Sequence, residues 1–195
     1  MAKKESTFIN MVYVLFVVAG IAGLALGYVY SITKAPIAAA KKKKIENAIK
    51  MVLPEFDEIQ STYKVMAYDG SKSSDSLVFF EAIKDGQLVG TAVNTYTMKG
   101  FSGLIKLMVG IMPDGSIHRI SVLEHKETPG LGTKMADPKF IDQFNDINPA
   151  SVKMKVTKDG GEIDAITAAT ISSRAFCDAT DRAFQTYNKN KGGNN

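Results

Sequence analysis

The sequence predicts an α+β protein: an N-terminal transmembrane helix, then one domain with a mainly antiparallel sheet flanked by helices. Three observations predict it. From Ser6 to Thr33 no charged residue occurs. The middle of the chain repeats a strand-turn-strand pattern. An amphipathic helical pattern closes the chain. No strand–helix–strand alternation runs through it, which argues against a doubly wound nucleotide-binding fold.

Residues 1–7 form a short polar head containing Lys3, Lys4 and Glu5. Residues 8–33 form the membrane helix. A bilayer core takes roughly 20 apolar residues in a helix, and the run from Phe8 to Ile32 is rich in Val, Leu, Ile and Ala. The rival reading is a cleaved signal peptide, whose apolar part spans only about 7–15 residues before a small-residue cleavage site. The longer run favours an uncleaved anchor. Gly23 and Gly27 make a GxxxG pair, with Gly20 one turn earlier. Such a pair suits packing against other membrane helices, yet glycine is also simply frequent in membrane helices. Tyr28 and Tyr30 suit the interface. Lys34 and Lys41 to Lys44 follow the helix, against two lysines before it. By the positive-inside rule these charges place the C-terminal side in the cytoplasm, although long translocated domains largely escape that rule.

A connecting amphipathic helix is predicted within 34–60. Pro36 marks the exit from the membrane, and the helix runs from Ile37 to Leu53, ending before Pro54. Ile45, Ile49, Val52 and Leu53 form its apolar stripe. The four-lysine run reads as a solvated face or as a contact with membrane lipid headgroups.

The main domain, 61–190, opens with strands at Tyr63–Tyr68 and Leu77–Lys84, rich in β-branched and aromatic residues. Asp85-Gly86 is a hairpin signal leading into Gln87–Tyr96. A loop follows at Lys99-Gly100-Phe101-Ser102-Gly103, then a strand at Leu104–Ile111. Pro113-Asp114-Gly115 turns the chain into Ser116–Leu123. Such a series argues for an antiparallel sheet. Asp137-Pro138 starts a short helix through Phe144, with Asp137 as its cap and Pro138 at the first position. Val152, Met154 and Val156 alternate with lysines as in a strand, and Lys158-Asp159-Gly160-Gly161 is a turn. A helix from Thr170 to Tyr187 carries Ala175, Phe176, Ala179, Ala183, Phe184 and Tyr187 on its apolar face. Residues 191–195 form a disordered tail.

Composition excludes several classes. The net charge of +4 is modest, and the lysines cluster beside an apolar segment rather than on an aromatic-rich surface, so no nucleic acid partner is expected. The single cysteine, Cys177, allows no internal disulfide, cannot supply the thiolates of an iron–sulfur centre, and is expected to be an inert core or boundary residue. His118 and His125 with one cysteine make no convincing zinc site. CxxC, HExxH, GxSxG and Walker patterns are all missing. Unaided, the polypeptide offers little redox chemistry.

Two stretches carry a candidate site. Glu127-Thr128-Pro129-Gly130-Leu131-Gly132 pairs a proline, which fixes one turn residue, with two glycines that allow φ > 0. Such a loop lays peptide groups against a flat ring, and by itself is also a good surface turn. Asp164-Ala165-Ile166-Thr167-Ala168-Ala169-Thr170-Ile171-Ser172-Ser173 places small residues and hydroxyls where a coil becomes a helix. That suits a phosphate, and equally suits a plain helix cap.

Together and in this order, the two stretches resemble the FMN-binding domain family found in the RnfG and NqrC subunits of respiratory electron-transfer complexes. Asp164 to Thr170 is similar to the family's flavinylation motif, Asp-x-x-Ser/Thr-Gly/Ala-Ala-Thr/Ser, with Ala168 where glycine is commoner. Glu127 to Gly132 is similar to its other hallmark. The resemblance covers nearly the whole chain, and the short sequence sits nearer the RnfG branch. It implies that Thr170 bears covalent FMN through a phosphoester. Thr167, Ala168, Ala169, Ile171, Ser172 and Ser173 are then expected around the phosphate, where the helix dipole contributes up to about 1 kcal/mol. Glu127 to Gly132 are expected to border the isoalloxazine, with His125 beside them. The flavin would take up two electrons and release them one at a time.

The resemblance further implies a single-pass subunit of the cell (inner) membrane with its FMN domain on the extracytoplasmic side, against the charge rule. Its implied partners are the other membrane and iron–sulfur subunits of an Rnf complex, which couples ferredoxin:NAD oxidoreduction to ion movement. A separate flavin transferase would install FMN from FAD, with Asp164 presenting the site. The alternatives are an NqrC-like subunit, a stand-alone FMN shuttle and a non-redox membrane-tethered interaction module.

Overall fold

The computed structural model describes residues 7–68 and 76–192. The chain divides into two compact units, one reaching to Lys44 and one starting at Ile45.

The first unit is the larger part of helix α1, Phe8–Val52. From Phe8 to Thr33 it offers about 39 Å of helix, against a hydrocarbon core of about 30 Å. No part of its most apolar 18-residue window is buried by protein. It is long and apolar enough to cross a bilayer, whose core offers no water to pair with backbone groups.

The helix does not stop at Pro36, which lies inside it. Proline withholds one N–H, here from the Ile32 carbonyl. The hydroxyls of Ser31 and Thr33 donate to the carbonyls of Tyr28 (2.8 Å) and Val29 (2.7 Å) on the preceding turn. Beyond Pro36, alanines and lysines favour helix. The expected connecting helix of 34–60 is therefore the second half of α1, a short link and the start of the sheet.

The second unit is built on a five-stranded antiparallel meander in the order β1-β2-β3-β4-β5. The strands are Glu58–Met66, Ser76–Lys84, Gln87–Gly100, Gly103–Ile111 and Ile117–His125. At the β2–β3 turn Asp85 and Gly86 have φ of 52° and 76°, the doubly positive pair of a two-residue hairpin. β1 starts earlier than expected because Glu58 pairs with Ile83. β3 extends to Gly100, which pairs with Gly103 and shrinks the expected loop to Phe101 and Ser102.

Both faces of the sheet are covered. On one, Leu77, Phe79, Val93, Leu107 and Val109 pack with Phe176, Ala179 and Ala183 of helix α3, Thr170–Gly192. On the other, Ala48, Ile49, Val52 and Leu53 pack on Ala82, Ala92, Met108 and Leu123, so the apolar stripe predicted at the end of α1 is a core face. Contact there is close: a Cβ on Gly110 would lie 1.9 Å from the Val52 carbonyl oxygen.

The connection from β5 to α3 departs most from expectation. Pro138 opens helix α2, Pro138–Ile141, but the Asp137 side chain makes no cap hydrogen bond. A 3-10 turn at Asp142–Phe144 continues it. Phe140, Phe144 and Phe176 cluster with ring centroids 4.8–5.5 Å apart. Residues 152–156 form no strand; only Val156 bridges Ile163. Their alternation is real, with Met154 and Val156 buried and the lysines exposed, but β5 is already met by Ile147. The α3 helix outruns Tyr187 to Gly192. Its last turns are anchored, with Lys189 Nζ 4.2 Å from the centre of the Tyr68 ring and Asn190 donating to the Tyr63 hydroxyl at 3.4 Å. The rest of the expected tail, 193–195, and the polar head up to residue 6 lie outside the described residues.

Candidate functional site

Three stretches distant in sequence converge at the start of α3: the β3–β4 hairpin tip, the loop after β5, and residues 164–173. Between them lies a cavity of ≈ 320 Å³, within the usual range for small-ligand sites.

Glu127 ties the three together. It is 4% exposed. One carboxyl oxygen accepts the Ser102 N–H at 3.0 Å, and the other accepts the Ser172 hydroxyl at 2.6 Å. The glycines around it are there for space. A Cβ on Gly100 would sit 2.7 Å from Glu127 Oε1, and one on Gly132 would sit 2.7 Å from both Glu127 Oε2 and Ser172 Oγ. Of the two loop glycines expected to need φ > 0, only Gly130 has it, at 76°. Gly132 is required by close approach instead. Within the loop, Leu131 N–H donates to the Thr128 carbonyl (3.2 Å) and Gly130 N–H to the Thr133 hydroxyl (3.0 Å). His125 braces the same loop, its Nδ1 accepting the Glu127 N–H at 3.3 Å.

The stretch from Asp164 to Ser173 is equally constrained. Ala168 has φ of 62°, a left-handed conformation that costs a non-glycine residue about 1–2 kcal/mol. That is the physical reason a glycine would fit there. Ser173 is fully buried; its hydroxyl donates to the Ala169 carbonyl (3.0 Å) and accepts the Ile166 N–H (2.9 Å). The side chains of Ser172 and Ser173 thus serve the protein's own framework. Thr170, the first residue of α3, is half-buried and lines the cavity. Its hydroxyl has no hydrogen-bond partner among the described residues. The amides of Ile171 and Ser172 are likewise unpaired among them, because helical bonding begins with Ser173 N–H to the Ala169 carbonyl. Unpaired amides on the first turn are what an anion meets at a helix start.

The cavity brings together most of the residues expected at the site. Glu127, Thr128, Leu131 and Gly132 line it on one side and Ala168 to Ser172 on the other. Pro129 and Gly130 shape the turn without lining the cavity. Thr167 and Asp164 instead line a separate cavity of ≈ 380 Å³ with Lys134 and Phe140. Sequence reasoning missed Phe101. This aromatic ring on the hairpin tip lines the first cavity while 68% exposed. Its signal was a large apolar side chain in a predicted loop, where water-facing residues are usual. Leu131 and Ile171, 40% and 47% exposed, give the cavity two more apolar rims.

These residues fit FMN. The unpaired amides and hydroxyl suit its phosphate, and the apolar rims suit its ring system. Cys177 is no part of the site: it is buried, and burial pushes its thiol up to about 12.

A family model described as an FMN-binding domain matches residues 100–185. The G subunit of the ion-translocating oxidoreductase complex of Aliivibrio fischeri is 32% identical over 187 residues, covering 91% of this chain and 88% of that protein. Its counterpart from Methanosarcina acetivorans, of the same name, is 31% identical over 195 residues, covering 97% and 98%. Among solved structures, Shewanella oneidensis NqrC aligns with 24% identity and a TM-score of 0.49 over 73% of each chain.

Proposed function

Because the chain belongs to the family of RnfG, the G subunits of ion-translocating oxidoreductase complexes, we propose that it is a membrane-anchored flavoprotein passing electrons within such a complex, with FMN held covalently at Thr170. FMN supplies the redox chemistry when bound, accepting electrons in pairs and releasing them singly. The chain's own residues hold and orient it. Thr170 Oγ1 carries the phosphoester. The amides of Ile171 and Ser172, with the dipole of α3, stabilise its negative charge. Phe101, Leu131 and Ile171 shield the ring system from water. Helix α1 keeps the subunit beside its partners, the membrane and iron–sulfur subunits of an Rnf-type ferredoxin:NAD oxidoreductase, with the flavin domain on the extracytoplasmic side.

The observation that supports this reading best is the half-buried, unpartnered Thr170 hydroxyl at the head of a helix, inside a cavity with apolar rims. Threonine is a weak nucleophile by itself, so attachment requires a flavin transferase. Thr170 Oγ1 bonds to the FMN phosphorus of FAD, the pyrophosphate bond breaks, and AMP leaves. The test is the intact mass of the denatured protein made alongside such a transferase. The expected result is one FMN, less water, on the natural chain and none on Thr170→Val. Flavin that survives denaturation in the Thr170→Val protein would refute the assignment.

A further inference from the structure

The attachment stretch is clamped by a side chain outside both motifs. Gln143, in the 3-10 turn after α2, lies against Asp164. Its Oε1 accepts the Asp164 N–H at 2.7 Å, and its Nε2 donates to the Asp164 carbonyl at 3.2 Å. The same nitrogen donates to the Phe140 carbonyl at 3.2 Å, fixing the amide to its own turn. A carboxamide offers a donor and an acceptor side by side, which an ionised carboxylate does not. Two residues further on, Ser173 holds the Ile166 N–H. Between these pins and Thr170 stands Ala168 with its positive φ. A non-glycine residue keeps such a conformation only where its surroundings over-determine it.

We propose that Gln143 is a positioning residue for FMN attachment. By clamping Asp164 it holds Ala168 in the left-handed region and so presents the Thr170 hydroxyl to the modifying enzyme. Gln143 touches none of the reacting atoms; the bond changes are those given above, a phosphoester for a pyrophosphate with no net oxidation. The inference rests on Thr170 being the attachment residue.

Ala168→Gly supplies the discriminating test, because glycine adopts positive φ without being held. Full-length chains are incubated with transferase, Mg²⁺ and FAD, and covalent FMN is followed by intact mass at several acceptor concentrations. Thermal melts run alongside. Gln143→Ala is expected to slow incorporation about tenfold, mainly through a higher half-saturating acceptor concentration. Gln143→Glu keeps the acceptor but loses both donors, and is slowed as well. In the Gln143→Ala background Ala168→Gly restores most of the loss, read against the rate of the Ala168→Gly single variant. Wild-type rates in both Gln143 variants would overturn the proposal, as would a loss that Ala168→Gly does not restore. If the unaltered chain acquires no FMN, the assignment of Thr170 falls and takes this one with it. If it acquires FMN and the Gln143 variants match it, only the present inference falls.

Discussion

Glu127 shows how one side chain sets a site. Its two carboxyl oxygens join a hairpin tip, a turn and a helix start, and two neighbouring glycines exist to let it in. Glu127→Ala would leave the Ser102 N–H and the Ser172 hydroxyl without their acceptors. The expected cost is about 3 kcal/mol in chemical denaturation, with Glu127→Gln much milder because its amide keeps an acceptor for Ser102. The motif around it was legible in the sequence, but its reasons were not. Gly132 and Gly130 look alike in the chain, yet one is needed for space and the other for its dihedral. Ser172 and Ser173 read as phosphate ligands from their position; only packing reveals that both hydroxyls are spent inside the fold.

At the scale of elements, the meander was legible because the hairpins at Asp85-Gly86, Gly100 to Gly103 and Pro113 to Gly115 each carry a local turn signal, and local signals do not depend on distant partners. Strand ends were less so: they follow from register, such as Glu58 with Ile83. The failed strand at 152–156 makes the same point, since alternation reports which side chains are buried and not whether a neighbouring strand is free. Pro36 misled because its cost to a helix is local, while the alanines and lysines after it favour helix just as locally. In α3 the apolar face was plain from its period, and it fixes the environment of Cys177. Its thiol ordinarily titrates near 9.0 and is pushed up to about 12 by burial. Below about pH 9 folded and unfolded chains both keep the proton. Between there and 12 only the unfolded chain releases it, so stability falls as pH rises. Tyr63 and Tyr187, raised chiefly by burial, act in the same direction above their ordinary 10.0. Guanidinium midpoints should therefore drop from pH 8 to about pH 10.5, and drop less in Cys177→Ala. A midpoint with no pH dependence over that range would contradict this environment for the thiol.

For the whole molecule, the division at Lys44 and Ile45 separates an uncovered apolar helix from a domain with its own two-sided core. A chain beginning at Ile45 keeps Ala48, Ile49, Val52 and Leu53 and so loses none of that core. It is expected to remain in solution after ultracentrifugation, unfold cooperatively and accept FMN from the transferase. The full chain should stay in the membrane pellet through alkaline carbonate. Aggregation of the shorter chain would mean that residues before Ile45 are needed for folding. The cradle at the head of α3 adds a matter of timing. Its stitches run from polypeptide to polypeptide, through Glu127, Ser173 and Gln143. On the function proposed above, the subunit would therefore finish folding while still colourless, and be dyed afterwards.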